Sequence, residues 1–268
     1  MKLLKIISKL RSKFLTDPYN FWQQHGFIKI DNDISDQFFF CLDGMESVFI
    51  AENSLAITLN KEINCTHVLS FFDLDGNLCG RVEQNTSLFH IQINIDFGAT
   101  GGVLKGTFCH HIVYADSIVS GEFKKIKTDF GFQHRGYCGY RCDSKLGYSF
   151  VHGNFGGIFN VRGVFKSIAR QAATHTYFPQ FILKKDLNYE LVFINPTQKK
   201  LNFHIKIFKK NYCQLDEKIT INSFGCFIFK INQNINYDQS LLSWTSKLPI
   251  GRAIVFERRG KQLNVFHS

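Results

Sequence analysis

The sequence predicts an all-β fold, in which two related antiparallel β-sandwich-like units follow a short N-terminal basic amphipathic helix. Of the 268 residues, 44% are hydrophobic and 20% are charged, which is the composition of a globular protein. The 29 phenylalanines and only 4 prolines favour strands. Strand-like segments fill most of the chain, and three of them recur at a nearly constant spacing. No apolar run reaches the roughly 18 residues of a membrane-spanning helix.

The segment Met1–Leu15 predicts the basic amphipathic helix. Its apolar residues recur at helical spacing, and no acidic residue occurs before Asp17. The cations expected to contact an anionic membrane surface are Lys2, Lys5, Lys9, Arg11 and Lys13. Docking of the apolar stripe on the protein's own core is the alternative. A second short helix, with Asp17 as its N-cap and its end at Gly26, completes the N-terminal segment 1–26.

Residues 27–120 are predicted to form the first β-unit. Its strands are placed at Phe27–Ile30, Phe38–Leu42, Ser47–Ala51, Leu55–Leu59, His67–Phe72, Leu78–Val82, His90–Ile95 and Thr107–Tyr114. The segment His90–Ile95 alternates isoleucine with polar residues, which indicates a strand with one face in water. Gly98–Gly102 is predicted to be a turn rather than a phosphate-binding loop, because a strand follows it and no Gly-Lys-Ser/Thr is present.

Residues 171–268 are predicted to form the second β-unit with the same layout. Three segments, Tyr189–Ile194, the strand around Ile205 and Cys226–Ile231, lie about 135 residues after Leu55–Leu59, the strand around Leu69 and His90–Ile95. This offset predicts an internal repeat, with chance coincidence of strand spacing as the alternative. A hairpin of Arg252–Glu257 and Gln262–His267 around the turn Arg258–Lys261 closes the unit.

Residues 121–170, between the two units, form a segment rich in glycine and aromatic residues and contain the candidate site. Glycine permits close approach of the backbone, while aromatic rings and charged groups are what a ligand site presents. Arginine can bind a carboxylate or phosphate through two nitrogens, and a histidine can act as a base near neutral pH. The predicted ligand-binding residues are His134, Arg135, Tyr137, Tyr140, Arg141, Asp143, Tyr148, His152 and Asn154. A connecting hairpin without a ligand is the alternative.

A metal site in the same part of the chain is a second interpretation. Adjacent residues of a strand point to opposite faces, so Cys109 and His111 share one face. Thiolate and imidazole are the ligands that zinc prefers. The residues that could hold zinc or iron are Cys109, His111, Cys138, Cys142 and His152. Without this site, no cofactor is predicted.

Charge and cysteine usage restrict the partners and the compartment. The net charge is +10, but the cations outside the N-terminal helix are spread and no nucleic-acid-binding motif occurs, so specific nucleic-acid binding is not expected. The 8 cysteines have irregular spacing, and Lys5 and Lys9 interrupt the apolar run of a secretory signal. These features predict a cytoplasmic protein with reduced thiols that the N-terminal helix can hold at the membrane periphery.

Three functions remain open at this point. The favoured one is a non-catalytic binding or accessory protein that recognises an anionic sugar, a glycoconjugate or another small ligand near a membrane surface. A metal-dependent or histidine-assisted enzyme that uses the central segment is the second. The third is a structural assembly protein whose sheet edges pair with partners, and the sequence carries no signal for an oligomeric state.

Overall fold

The protein is nearly all antiparallel β-structure, with four sheets and one short helix in the part that the structure describes. This computed structural model describes residues 33–115, 133–134, 136–159, 165–167, 174–179, 181–197, 199–210, 212–231, 240–248 and 252–268. The all-β prediction is confirmed. The helices predicted within 1–26 and the strand predicted at Phe27–Ile30 lie outside these residues. None of the helices in the described ranges is long and apolar enough to cross a membrane.

Sheets A and B form the first sandwich. Its strands are β1 (Asp33–Cys41), β2 (Glu46–Glu52), β3 (Cys65–Phe72), β4 (Leu78–Thr86), β5 (His90–Ile95), β6 (Lys105–Tyr114), β7 (Gln133–His134), β8 (Gly136–Arg141), β9 (Ser149–His152), β10 (Asn154–Phe159) and β11 (Phe165–Ser167). Sheet A has the order β11-β10-β1-β6-β3-β4, and β7 pairs with β1 in parallel. Sheet B has the order β5-β2-β8-β9.

Sheets C and D form the second sandwich. Its strands are β12 (His175–Tyr177), β13 (Asn188–Ile194), β14 (Leu201–Lys209), β15 (Tyr212–Ile221), β16 (Cys226–Lys230), β17 (Leu241–Ser246), β18 (Ile254–Arg259) and β19 (Gln262–His267). Sheet C has the order β12-β17-β14-β15, and sheet D has the order β16-β13-β18-β19. The predicted C-terminal hairpin is confirmed as β18 and β19, which pair from Ile254 with His267 to Arg259 with Gln262.

The segment Leu55–Leu59, predicted as a strand, is instead part of a helix, α1 (Ser54–Leu59). Asn53 caps its start, because its side-chain oxygen accepts a hydrogen bond from the Ala56 amide at 3.2 Å. Asn60 ends it in the left-handed conformation, with φ 51°. A short apolar run with β-branched residues fits either structure, and the two flanking asparagines decide in favour of the helix.

The two sandwiches share one strand order. β1-β6-β3-β4 of sheet A corresponds to β12-β17-β14-β15 of sheet C, and the order β5-β2-β8-β9 corresponds to β16-β13-β18-β19. Two of the predicted matches, β3 with β14 and β5 with β16, therefore join strands at equivalent positions. The third predicted match, Leu55–Leu59 with Tyr189–Ile194, is wrong because Leu55–Leu59 belongs to helix α1. The strand at the position equivalent to β13 is β2. A duplicated sequence as the origin of this likeness stays a prediction.

Sheet D is buried on both of its faces. One face, which includes Leu191, Phe193 and Val255, packs on sheet C in the core of the second sandwich. The other face packs into the core of the first sandwich, where the Phe256 ring meets the rings of Phe39 and Tyr140 at 5.7 and 4.9 Å between centroids. This double burial explains why β13 is a nearly continuous apolar run rather than an alternating one.

Close backbone approaches join the two sandwiches. Edge strands β9 and β19 lie side by side, with the Val265 amide donating to Ser149 Oγ at 2.8 Å and His267 Nε2 donating to the His152 carbonyl at 2.9 Å. At Gly76, with φ +85°, a Cβ atom would lie 1.8 Å from the Ser223 carbonyl oxygen. The contact therefore requires glycine there. Sheet B, in contrast to sheet D, has no second sheet packed on its outer face in the part of the chain that the structure describes.

Candidate functional site

The open face of sheet B carries the candidate site, and the strand register determines which side chains share it. Phe49, Cys138 and Tyr140 are fully buried, so the alternate positions of β2 and β8 face outward. Two rows of residues cross the sheet on that side, Asn94, Val48, Gly139 and Phe150 in one and Gln92, Ile50, Tyr137 and His152 in the other. The rows place amides at one edge and aromatic rings at the other.

The aromatic part of this face is flat because a glycine lies beneath it. A Cβ atom at Gly139 would be only 2.4 Å from the Phe150 ring, so that ring lies directly across β8. Phe150 is 43% exposed and Tyr137 is 37% exposed. The Tyr137 ring also lies beside the His152 ring, with 4.3 Å between the centroids. The result is a continuous patch of ring surface open to solvent.

A cleft of about 670 Å³ lies at the end of the same sheet. Its apolar lining comes from Leu42, Met45, Ile95, Phe97 and Leu104, and its polar lining includes Glu46, Gln92, Asn94, Asp96, Arg141 and Tyr148. Phe97 and Leu104 are exposed at 57% and 49%. Apolar walls with a few polar groups are typical of a small-molecule site.

Three polar side chains, Arg141, Glu46 and Tyr148, bind each other in this cleft. Arg141 donates from Nε and Nη2 to Glu46 Oε2 at 2.8 and 2.5 Å, and the Tyr148 hydroxyl donates to the same oxygen at 3.1 Å. The guanidinium carbon also lies 4.4 Å from the centre of the Tyr148 ring. The bond from Arg141 lowers the pKa of Glu46, while burial and the bond to Glu46 raise the pKa of Tyr148.

This arrangement changes the role predicted for Arg141. The sequence suggested a free guanidinium that binds an anionic ligand, but Glu46 already meets its positive charge, and Nη1 points to the Ser144 carbonyl at 3.4 Å. Arg141 therefore holds Glu46 and Tyr148 in place. The charged side chains that line the cleft are two carboxylates, Glu46 and Asp96, and one guanidinium, Arg141, so the cleft is slightly acidic rather than cationic.

Tyr140 is part of the core and not of the open face. It is 0% exposed, and its hydroxyl donates to the Phe39 carbonyl oxygen at 2.7 Å. Burial raises its pKa well above the usual value. The prediction that Tyr140 contacts a ligand is wrong, because odd and even positions of β8 face opposite sides of the sheet.

Asp143 and Asn154 contact the second sandwich instead of the cleft. Asp143 pairs with Lys261 Nζ at 2.8 Å, which lowers the pKa of the carboxyl group. Asn154 is 7% exposed and donates from Nδ2 to the Arg252 carbonyl at 3.2 Å. Both residues thus contact the second unit rather than a ligand in the cleft. Of the remaining predicted residues, His134 contributes backbone pairing in β7, and Arg135 lies outside the described residues.

The five predicted metal ligands do not come together. Within the described ranges, which include all five, no three His, Cys, Asp or Glu side chains lie close enough to hold a metal ion. Cys109, His111, Cys138, Cys142 and His152 therefore form no common site. Cys109 and Cys138 are fully buried, and burial raises the pKa of the Cys138 thiol to about 12, which opposes the thiolate that zinc binds.

Sequence reasoning missed several residues of the cleft, Glu46, Gln92, Asn94, Asp96 and Phe97 among them. The signal for two of them was present, because the alternation in His90–Ile95 places Gln92 and Asn94 together on the wet face of the strand. The sequence contains no such signal for Glu46, because its partner Arg141 lies far away in the sequence and contacts it only through the pairing of β2 with β8.

Comparisons with known proteins add little to this site. No protein-family model and no curated protein matches the chain. Among solved structures, a beta-glucuronidase of Bacteroides uniformis is similar over 87% of this chain and 25% of its own, at 10% identity and a TM-score of 0.17. A calcium binding mutant of Bacteroides uniformis beta-glucuronidase 2 is similar over 87% of this chain and 25% of its own, at 10% identity and a TM-score of 0.15. The chain spans about a quarter of the length of these structures, and with TM-scores this low the likeness is a weak one that carries no argument about function.

Proposed function

We propose that the protein is a non-catalytic binding protein that recognises a saccharide on the open face of sheet B and in the adjoining cleft. A sugar ring offers a flat face of C–H groups and a rim of hydroxyl groups. The C–H face can stack on an exposed aromatic surface, and the hydroxyl groups can form hydrogen bonds with nearby amides and carboxylates. The observation that carries the proposal is the coincidence of exposed Tyr137 and Phe150 with Gln92, Asn94 and Glu46 on one uncovered sheet face.

The polar groups of the cleft are already oriented for a ligand. Gln92 Nε2 donates to Asn94 Oδ1 at 3.0 Å, which fixes both amides on the outer face. The bonds from Arg141 and Tyr148 all reach Glu46 Oε2. Glu46 Oε1 can therefore accept a hydrogen bond from a sugar hydroxyl. Groups that are held in position before binding lose less conformational freedom when the ligand arrives.

The same carboxylates favour binding without hydrolysis. Glycoside hydrolysis requires one carboxyl group that stays protonated to act as the acid. Arg141 lowers the pKa of Glu46, which keeps it ionised, and Asp96 Oδ1 accepts a turn hydrogen bond from the Ala99 amide at 2.7 Å. Because Glu46 balances Arg141, we infer that the ligand is a neutral saccharide rather than the anionic sugar that the sequence suggested.

The proposal is tested by a glycan array followed by calorimetric titration of the bound saccharide. Phe150→Ala and Tyr137→Ala remove ring surface from the open face, and each is expected to weaken binding about tenfold or more. The matched control is Tyr212→Ala, because Tyr212 is a 73% exposed aromatic residue of β15 in sheet C. Binding by this control should equal that of the parent protein.

Other outcomes would favour the other functions. Turnover of the bound saccharide would contradict the non-catalytic proposal and support an enzyme. No bound saccharide, together with a defined oligomer in light scattering that survives Phe150→Ala, would support an assembly protein. Contact of Met1–Leu15 with an anionic membrane is a separate proposal, tested by sedimentation with anionic and neutral vesicles.

A further inference from the structure

Sheet C also has an open outer face, but its side chains are polar and cationic rather than aromatic. Along β14 the buried residues Leu201, Phe203, Ile205 and Ile207 alternate with Asn202, His204 and Lys206, which face outward. A cavity of about 430 Å³ lies at one end of this face. Its size is within the usual range for a small-molecule site.

Three lysines from separate parts of the chain meet at this cavity. Lys200 immediately precedes β14, Lys218 lies in β15, and Lys247 immediately follows β17. The register brings them together, because His204 pairs with Lys218 on one side and with Thr245 on the other. Asn202 and Thr220, which pair in the next row, also line the cavity. The Thr220 hydroxyl donates to Asn202 Oδ1 at 2.8 Å, which leaves the Asn202 side-chain NH₂ group as the donor toward a ligand.

Asp216, an acid on this face, forms its ion pairs with residues other than Lys218 and Lys247. Asp216 binds His204 Nε2 through one oxygen and Lys206 Nζ at 3.2 Å through the other, and these bonds lower its pKa. Glu217 lies one residue further along β15, so it faces the opposite side of the sheet. The ion pairs of the described residues include none with Lys218 or Lys247.

We propose that this cavity on sheet C binds a tetrahedral oxyanion, a phosphate or sulfate group of a small ligand. Positive charges placed close together repel each other, and a bound dianion removes that repulsion. Ammonium groups, the Asn202 side-chain amide and the Thr245 hydroxyl donate hydrogen bonds to its oxygens, and bonds between charged partners are the stronger ones. The site is separate from the saccharide site on sheet B, and it stands whether or not sheet B binds a sugar.

The test is a titration of ¹⁵N-labelled protein with inorganic phosphate and, separately, with sulfate, at constant ionic strength. Saturable shifts are expected for the amides of Asn202, Thr220 and Thr245. The double variant Lys218→Gln/Lys247→Gln should weaken binding about tenfold or more, from the loss of two charged hydrogen bonds. The control Lys145→Gln/Lys184→Gln removes the same charge from two exposed lysines outside this cavity and should bind like the parent.

The outcomes distinguish a specific anion-binding site from the nonspecific electrostatic attraction of anions to a basic protein. Saturation by phosphate alone, or by sulfate alone, identifies the group that the cavity takes. Shifts that rise linearly with salt, or an equal loss of binding in the control variant, would overturn the proposal. The dispersion of each variant's amide spectrum shows that the variant is folded.

Discussion

Sheets B and D have the same strand order but opposite surroundings. In sheet D, Val192 pairs with Ile254, and both are buried in the core of the first sandwich. In sheet B, the equivalent strands pair Val48 with Gly139; Val48 is also buried, at 2% exposure, but the Phe150 ring that lies over the glycine is 43% exposed to solvent. One sheet thus serves as an internal layer of the protein, while its counterpart has exposed rings and amides on its outer face. The comparison teaches that the candidate site lies on sheet B because, among the described residues, no second sheet packs on its outer face as the first sandwich packs on sheet D.

The largest expected effect tests this contrast directly, with one phenylalanine from each sheet. Phe256, 1% exposed, fills space between the sandwiches, so Phe256→Ala should lower the free energy of unfolding by about 3–5 kcal/mol. Phe150→Ala on the open face should lower it by less than about 1 kcal/mol. Urea unfolding of both variants measures the difference. Similar losses would mean that the Phe150 ring is part of the core.

The next effect concerns the joint that keeps sheet D covered. Gly76→Ala drives a Cβ atom into the Ser223 carbonyl, whereas Gly44→Ala, with φ +69°, meets nothing within 4 Å. Each variant places alanine in the left-handed region, which lowers the free energy of unfolding by about 1 kcal/mol. Gly76→Ala must also push the two sandwiches apart, which lowers it by a further amount of about 2 kcal/mol or more. Thermal unfolding compares them. Equal melting temperatures would contradict the close approach at Gly76.

A smaller effect should appear when the pH is lowered, at the seam between β9 and β19. Burial lowers the pKa of His267, so the unfolded chain binds the proton more readily than the folded protein. The contribution of His267 to the free energy of unfolding is therefore fully present above the usual histidine pKa of about 6.5 and decreases as the pH falls below that value. His267→Gln should show a smaller decline between about pH 8 and about pH 5.5. Urea unfolding at both values provides the measurement, and parallel declines would assign the effect to other groups.

The smallest effect is expected from the exposed ion pair between the same two regions. Lys261 lowers the pKa of Asp143, but the lysine side chain is 78% exposed, so Lys261→Gln should leave the unfolding midpoint nearly unchanged. The pKa of the Asp143 carboxyl should return towards its ordinary value, which its ¹³C chemical shift reports during a pH titration. A clear loss of stability would mean that rim contacts, and not burial of sheet D, hold the sandwiches together.

Most of the fold could be predicted from local patterns. Alternation in His90–Ile95 marked a strand with one wet face, and the segments around Ile205 and at Tyr189–Ile194 were placed as strands, which β14 and β13 confirm. The strand prediction for Leu55–Leu59 was wrong because a short apolar run fits a helix and a strand equally well.

The candidate site was predicted only in part, for a different physical reason. The sequence shows that Tyr140 and Arg141 face opposite sides of a strand, but which side is the core depends on pairing with β2. The Arg141–Glu46 contact and the cluster of lysines on sheet C also arise from register between distant segments. Neither leaves a local motif that one sequence can reveal.

The double burial of sheet D also means that this chain cannot be dissected into modules. The second sandwich, taken alone, would expose Val192, Ile194, Ile254 and Phe256 to water, and the first would lose the layer that closes its core. Both would also present a bare strand edge, β9 in one and β19 in the other, ready to pair with other chains. Because the two halves share this buried layer, we expect that neither half will fold when it is expressed without the other.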